Sequence, residues 1–288
     1  MSLKQKETEM ITKIINADDM GISPGVNRAI IVGFEQGILN STSLMMNVAY
    51  TNQAVNLLLK HPKLAVGVHL NLTNQRNQRC LSFPSEIPLL ADNKGHLKHG
   101  FLKLFLLSLL FPKAFSEQAE KEIRAQIEKA LMMGLCLTHL DSHRHVHMIP
   151  ALFRVTSQLA KEYKIKRVRV VNERFFKTIT KTHNIKCLID GGIIKLLILR
   201  FFKFINNADS DTYFYGVLHT TRLFGKNVRC IKIPKKYQSV EIGLHPSDTR
   251  LDKSAFEPAF YDYLLDKEDR FKEFETALDI HLLDRIGY

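Results

Sequence analysis

Short β-branched runs alternate with helical patterns along most of this chain, and four of those runs close on an aspartate or a histidine. Ile11 to Asn16 reads as a buried strand leading into Ala17-Asp18-Asp19. A helix follows from Pro24 to about Gln36, with Gly37 as its stop. Ser41 to Asn47 and Ala65 to Asn71 are further strands, and residues 117–133 place Ile123, Ile127 and Ala130 at helical spacing. Leu137 to Asp141 and Arg167 to Val171 are strands flanking a helix from Pro150 to Tyr163. Val240 to Leu244 is a late strand, and 254–266 and 268–283 are helical. Parallel strands need crossovers long enough to hold a helix, so this alternation predicts a mostly parallel α/β layer or barrel. At 288 residues the chain suits a single domain spanning 1–288, with the least regular region, 172–235, as an insertion or cap. Its 45% hydrophobic and 24% charged content excludes disorder and coiled coil as overall descriptions.

The position of the polar residues narrows the function. Asp18 and Asp19 follow the first strand, His69 ends Val66-Gly67-Val68, His139 to His147 follow Leu137, and His245 follows Ile242-Gly243-Leu244. In parallel α/β folds the C-terminal strand edge is where active sites are assembled. Adjacent carboxylates on a strand ordinarily point apart, and a bend at Asp18-Asp19 would turn both into one cavity. An Asx-turn or helix cap accounts for that pair equally well. The run His139-Leu140-Asp141-Ser142-His143-Arg144-His145-Val146-His147 holds four histidines in nine positions. Such crowding of imidazoles, together with His69 and the aspartates, is the chemistry of a transition-metal site. One aspartate and two histidines leave coordination positions for water and substrate, so the expectation is a metal-dependent hydrolase, and a serine hydrolase is not expected because no G-x-S-x-G nucleophile elbow is anticipated.

Taken together, Ile14-Ile15-Asn16-Ala17-Asp18-Asp19-Met20-Gly21-Ile22-Ser23, Ser41-Thr42-Ser43-Leu44-Met45, Val66-Gly67-Val68-His69-Leu70-Asn71, Thr138 to His147 and Ile242-Gly243-Leu244-His245-Pro246 resemble the motifs of YdjC-like carbohydrate deacetylases, in family order. The resemblance implies a distorted (β/α) barrel of the polysaccharide-deacetylase type that removes acetyl from an N-acetylated sugar. It implies a divalent ion, Mg2+ with Zn2+ as the alternative, held by Asp19, His69 and His143. It gives Asp18 the role of general base and His245 that of general acid. Arg144 stands where relatives often carry histidine, which leaves His145 and His147 to contact substrate, to support the ligands or to replace one of them. Asp141 falls in the same class, as do Arg169 and Glu173, which match an Arg-x-x-x-Glu pattern after a strand.

Charge and hydropathy bear on partners. The net charge is +12, and residues 161–205 hold twelve Lys or Arg against three Asp or Glu. No recognised nucleic-acid motif accompanies that segment, so nucleic acid is not expected as a partner. Two apolar stretches, Phe101 to Phe115 and Ile193 to Ile205, are interrupted by charge and fall short of the roughly 20 residues a spanning helix needs. In the second, Lys195, Arg200 and Lys203 share one helical stripe, the pattern of an interfacial helix or of a cap helix with snorkelling cations. These stretches give the chain some likeness to the hopanoid-biosynthesis-associated branch of the family, which acts on a sugar-bearing lipid. A soluble oligosaccharide is the competing substrate, and the lack of tryptophan platforms weighs against it. The four cysteines form no CxxC pair, and no secretory leader is legible, so a reducing, cytoplasmic setting at or near the inner membrane surface is expected. Expected partners are the N-acetylated saccharide or glycolipid, a membrane met peripherally through 101–115 and 193–205, and a second copy in a homodimer. A phosphoester hydrolase using the same aspartates and histidines is the rival reading.

Overall fold

The computed structural model describes residues 11–74, 78–174, 178, 192–229, 231, 233–252 and 267–285. Seven strands form one parallel sheet in the order β5-β4-β3-β2-β1-β7-β6, curled into a half-barrel with helices packed around it. In chain order these are β1 (Thr12–Met20), β2 (Ser41–Leu44), β3 (Ala65–Leu70), β4 (Leu137–Ser142), β5 (Arg167–Val168), β6 (Thr212–Tyr215) and β7 (Ser239–Leu244). The helices are α1 (Pro24–Glu35), α2 (Thr51–Leu58), α3 (Phe101–Leu110), α4 (Pro112–Met132), α5 (Pro150–Glu162), α6 (Gly192–Ile205), α7 (Lys226–Arg229), α8 (Lys267–Ala277) and α9 (Leu282–Arg285). The expected α/β distorted barrel is therefore the fold observed. The predicted helix over 254–266 lies outside the described residues.

β1 lies inside the sheet, paired with β2 on one side and β7 on the other, and its burial deepens from Thr12 to Met20. It runs four residues further than its β-branched content suggests and carries Asp18 and Asp19 within its last turnings. The register against β2 shifts between Ala17 and Met20, and Asp19 adopts φ 70°, a left-handed conformation that costs a non-glycine residue roughly 1–2 kcal/mol. The stretch 172–235 contributes α6, α7 and the edge strand β6, which pairs in parallel with β7 from Thr212 to Tyr215. β2 and all but the first residue of β3 and β7 are buried on both rows of side chains, and in β2 those buried residues include Ser41, Thr42 and Ser43. On α4, Phe115, Ala119, Ile123, Ile127 and Ala130 are fully buried at the predicted spacing.

α8 closes on the end of α1 at a narrow point. Gly37 does follow α1, but its glycine is required by close approach: a Cβ there would lie 2.0 Å from the carbonyl oxygen of Ala277 at the end of α8. The next amide, Ile38 N, donates to that same carbonyl at 2.9 Å. Gly37→Ala thus forces α8 away from α1, and we expect a loss of about 1–3 kcal/mol in urea unfolding.

Candidate metal and hydrolase site

The C-terminal ends of β1, β3, β4 and β7 deliver their polar side chains to one cavity. Asp18, Asp19, His69, His143, His145 and His245 line it, together with Ser142, Arg144, Lys195, Thr220, Thr221 and Arg270. The left-handed turn at Asp19 brings both carboxylates of the pair into the same space. After β4 the chain breaks into a 3-10 turn, His143–Met148, in which Arg144 and His145 both have φ 56°. Neither an extended nor a helical run through the histidines is formed. His139 and Asp141 stay on the strand, while the turn swings His143 and His145 into the cavity.

Two groups of three residues could hold a cation: Asp19, His69 and His143, or Asp18, His69 and Asp141, each with donor atoms within 4.8 Å of one another. The second group already surrounds a cation. Arg169 donates to both oxygens of Asp18 at 2.7 and 2.8 Å, and its Nη2 lies 2.6 Å from Asp141 Oδ2. In the first group, Asp19 Oδ1 faces His143 Nδ1 at 2.9 Å and His69 Nε2 at 3.4 Å. His69 donates from Nδ1 to Asp141 Oδ1 at 2.8 Å, which fixes the ring and aims Nε2 at Asp19. A carboxylate behind an imidazole is the arrangement that orients histidines for metals. The donor chemistry of Asp19, His69 and His143 thus fits a divalent ion.

Charge in the site is balanced by burial against close partners. Burial pushes the Asp18 carboxyl up, but Arg169 and then His69 outweigh it and hold Asp18 below the ordinary carboxylate range. Asp19 is likewise raised by burial yet held well below that range by His143 and Arg270, whose Nη2 donates to Asp19 Oδ2 at 2.8 Å. Burial lowers His69, while Asp141 and Asp18 carry it up to about 10. For His245 burial outweighs the pull of Asp18 and Asp19 and takes the ring down to about 4, so it is neutral at pH 7. Its Nε2 lies 3.9 Å from Asp18 Oδ2 and its Nδ1 3.8 Å from Glu273 Oε2.

Several predicted residues lie behind the cavity wall. Arg169 bridges Asp18, Asp141 and Glu241, and its guanidinium lies over the Phe214 ring at 4.7 Å. His147 hydrogen-bonds Ser142 Oγ at 2.6 Å and the Arg169 carbonyl at 2.9 Å, so both its ring nitrogens hold the scaffold. Glu173 accepts from the amides of Gly216 and Val217 beside β6. The sequence reading missed Arg270 and Glu273. They come from α8, whose run Lys267-Glu268-Asp269-Arg270 reads as a solvated face, and no local signal separates Arg270 from its neighbours. Glu273 accepts from the amides of His245 and Leu223, and burial raises it to about 8.

Gly67 supports the site from below. A Cβ at this position would lie 2.4 Å from the His139 ring, and His139 Nε2 lies 3.0 Å from Ser43 Oγ, which donates to Asp141 Oδ2 at 2.7 Å. Gly67→Ala therefore displaces the chain of contacts that orients His69. We expect weaker metal retention after dialysis and a stability loss of about 1–3 kcal/mol by thermal unfolding.

One motif-like stretch has a different role. Gly21-Ile22-Ser23-Pro24-Gly25 fits the G-x-S-x-G spacing of a serine nucleophile and lies between a strand and a helix. Ser23 is fully buried, accepts from Val26 N at 3.0 Å as the cap of α1, and donates to Asp252 Oδ2 at 3.0 Å. It caps a helix and does not line the cavity.

The profile described as YdjC-like protein matches residues 13–286. The carbohydrate deacetylase of Brevibacillus brevis is 35% identical over 235 residues, covering 81% of this chain and 80% of that protein. The carbohydrate deacetylase of Clostridium beijerinckii is 40% identical over 171 residues, covering 59% of this chain and 65% of that protein. A solved structure from Enterococcus faecalis V583, named for cellobiose-phosphate cleavage, shares the fold with a TM-score of 0.64 at 22% identity, over 96% of this chain and 94% of that one. With the match running from β1 to the end of α9 and the aspartates and histidines gathered at one sheet edge, the chain belongs to the YdjC-like family.

Proposed function

We propose that this protein is a metal-dependent hydrolase that removes the acetyl group from an N-acetylated saccharide, an oligosaccharide or a glycolipid head group, within one catalytic domain. The observation that carries the reading is a single cavity holding the Asp19-His69-His143 group directly beside Asp18 and His245. The relatives named carbohydrate deacetylase support the substrate class.

Asp19, His69 and His143 would hold the ion, which would supply Lewis-acid polarisation and an acidified water. Magnesium is the ion the family resemblance implies, while two imidazoles among three ligands favour zinc. Asp18, ionised at neutral pH, is the group that accepts the proton of a water attacking the acetamide carbon. His245 enters the reaction neutral, so the proton it delivers to the departing amine has to be acquired inside the site. Asp18 Oδ2, 3.9 Å from His245 Nε2, is the source on the cavity side once it has taken the proton of the water. Arg169 holds the Asp18 carboxylate in place through a two-pronged contact and keeps its charge compensated. Arg270 compensates the charge of Asp19 through one contact, from Nη2 to Oδ2.

The test is acetate release from short N-acetylglucosamine oligomers and from an N-acetylglucosaminyl lipid, after chelation and return of Mg2+ or Zn2+. Release only with the returned ion is the expected result, and the more active ion identifies the cofactor. A metal-loaded protein that releases no acetate from either compound but cleaves phosphate esters would overturn the deacetylase reading.

A further inference from the structure

Among the described residues, the exposed large apolar side chains are concentrated on two neighbouring segments. α3 with Phe111 and α6 hold eleven of the seventeen, including Leu102, Leu109, Leu110, Ile194, Phe201 and Phe204. Phe204 is 82% exposed and Leu102 69%. Single exposed apolar residues are ordinary on a protein surface, whereas a continuous patch marks something that covers it. The two helices are joined by Phe202, whose ring centroid lies 6.1 Å from Phe101 and 5.0 Å from Phe105. On α6, Leu196, Leu199 and Phe202 are buried, so one narrow stripe anchors the helix and the rest of its apolar surface faces outward.

The charge on this face identifies its partner. Neither Phe101 to Phe115 nor Gly192–Ile205 contains an aspartate or glutamate, while Lys103, Lys113 and Lys203 lie along them and Arg200 donates to the Glu173 carbonyl at 3.1 Å. A second copy docked through a two-fold contact would set this cationic face against itself. An anionic bilayer instead takes the apolar side chains into its headgroup and acyl boundary and leaves the cations among lipid phosphates. We infer that the α3–α6 face is a docking surface for an anionic membrane. Lys195, in the first turn of α6, also lines the catalytic cavity beside His145, so the helix that meets the lipid is a wall of the site. The surface uses none of the aspartates or histidines of the cavity and stands apart from the reaction assigned above.

The experiment is flotation of the full-length protein with vesicles of phosphatidylcholine alone and of phosphatidylcholine with phosphatidylglycerol, at low and at high salt. The protein is expected to float with the anionic vesicles, less so at high salt. Leu109→Glu combined with Phe204→Glu, both at exposed positions, should lower the bound fraction at least about tenfold without changing circular dichroism or acetate release from soluble oligomers. Lys203→Glu should lower partition on anionic vesicles about fivefold or more and change little on neutral ones. Absence of flotation with anionic vesicles overturns the inference, as does equal flotation of the double variant. So does a wild-type dimer in sedimentation equilibrium that the double variant dissolves, because a second copy would then be the occupant.

Discussion

Arg169→Met is expected to lower the unfolding free energy by about 3–5 kcal/mol, the cost of removing one partner from a buried ion cluster. Arg169 is buried among three carboxylates: Asp18, Asp141 and Glu241. Methionine fills much of the same volume, packs on Phe214 and carries no charge. Arg167 pairs with Glu241 but reaches neither aspartate, which leaves His69 as the remaining cationic partner of Asp18 and Asp141. Arg169→Lys restores one charge without the fork that spans both oxygens of Asp18, and it should recover only part of the loss. Urea unfolding followed by circular dichroism decides the matter. An unchanged midpoint for the methionine variant would mean the cluster is dispensable for folding.

Asp18→Asn is expected to reduce acetate release by about 10²–10⁴-fold, the usual contribution of a general base. Asparagine keeps the shape, accepts one of the Arg169 hydrogen bonds and cannot take a proton. Asp18 is outside the Asp19-His69-His143 group, so bound metal measured after dialysis should stay near one equivalent. His143→Ala is the contrasting variant, losing metal and activity together. If Asp18→Asn loses its metal as well, Asp18 is a ligand and the alternative grouping with His69 and Asp141 applies.

Most of the sheet was legible because each inner strand is a short apolar run bounded by helical spacing. The end of β1 was not, because Ala17 to Met20 continue a strand through two charged residues that propensity assigns to a loop. β6 was also missed: Thr212–Tyr215 is four residues long and is stabilised by pairing with β7, which only the tertiary structure supplies. At the site, His69, His143 and His245 were readable because each follows an apolar run at the edge where such folds assemble their chemistry. The separation of roles within His139 to His147 was not readable. It depends on the two left-handed residues, Arg144 and His145, and neither is the glycine that would announce that conformation. Arg270 was invisible for a different reason, since its partner is 251 positions away.

That separation also has a meaning in time. A ribosome adding 5–20 residues per second takes roughly 10–50 s to go from Asp19 to Arg270. For that interval the nascent chain carries the Asp18-Asp19 pair without the guanidinium that α8 brings, and His245 is itself made only near the end. The cavity that gathers these side chains is therefore completed late in synthesis, after the central strands β1 to β4 are available to pair. An unfinished polypeptide has much of its sheet before it has the completed cavity.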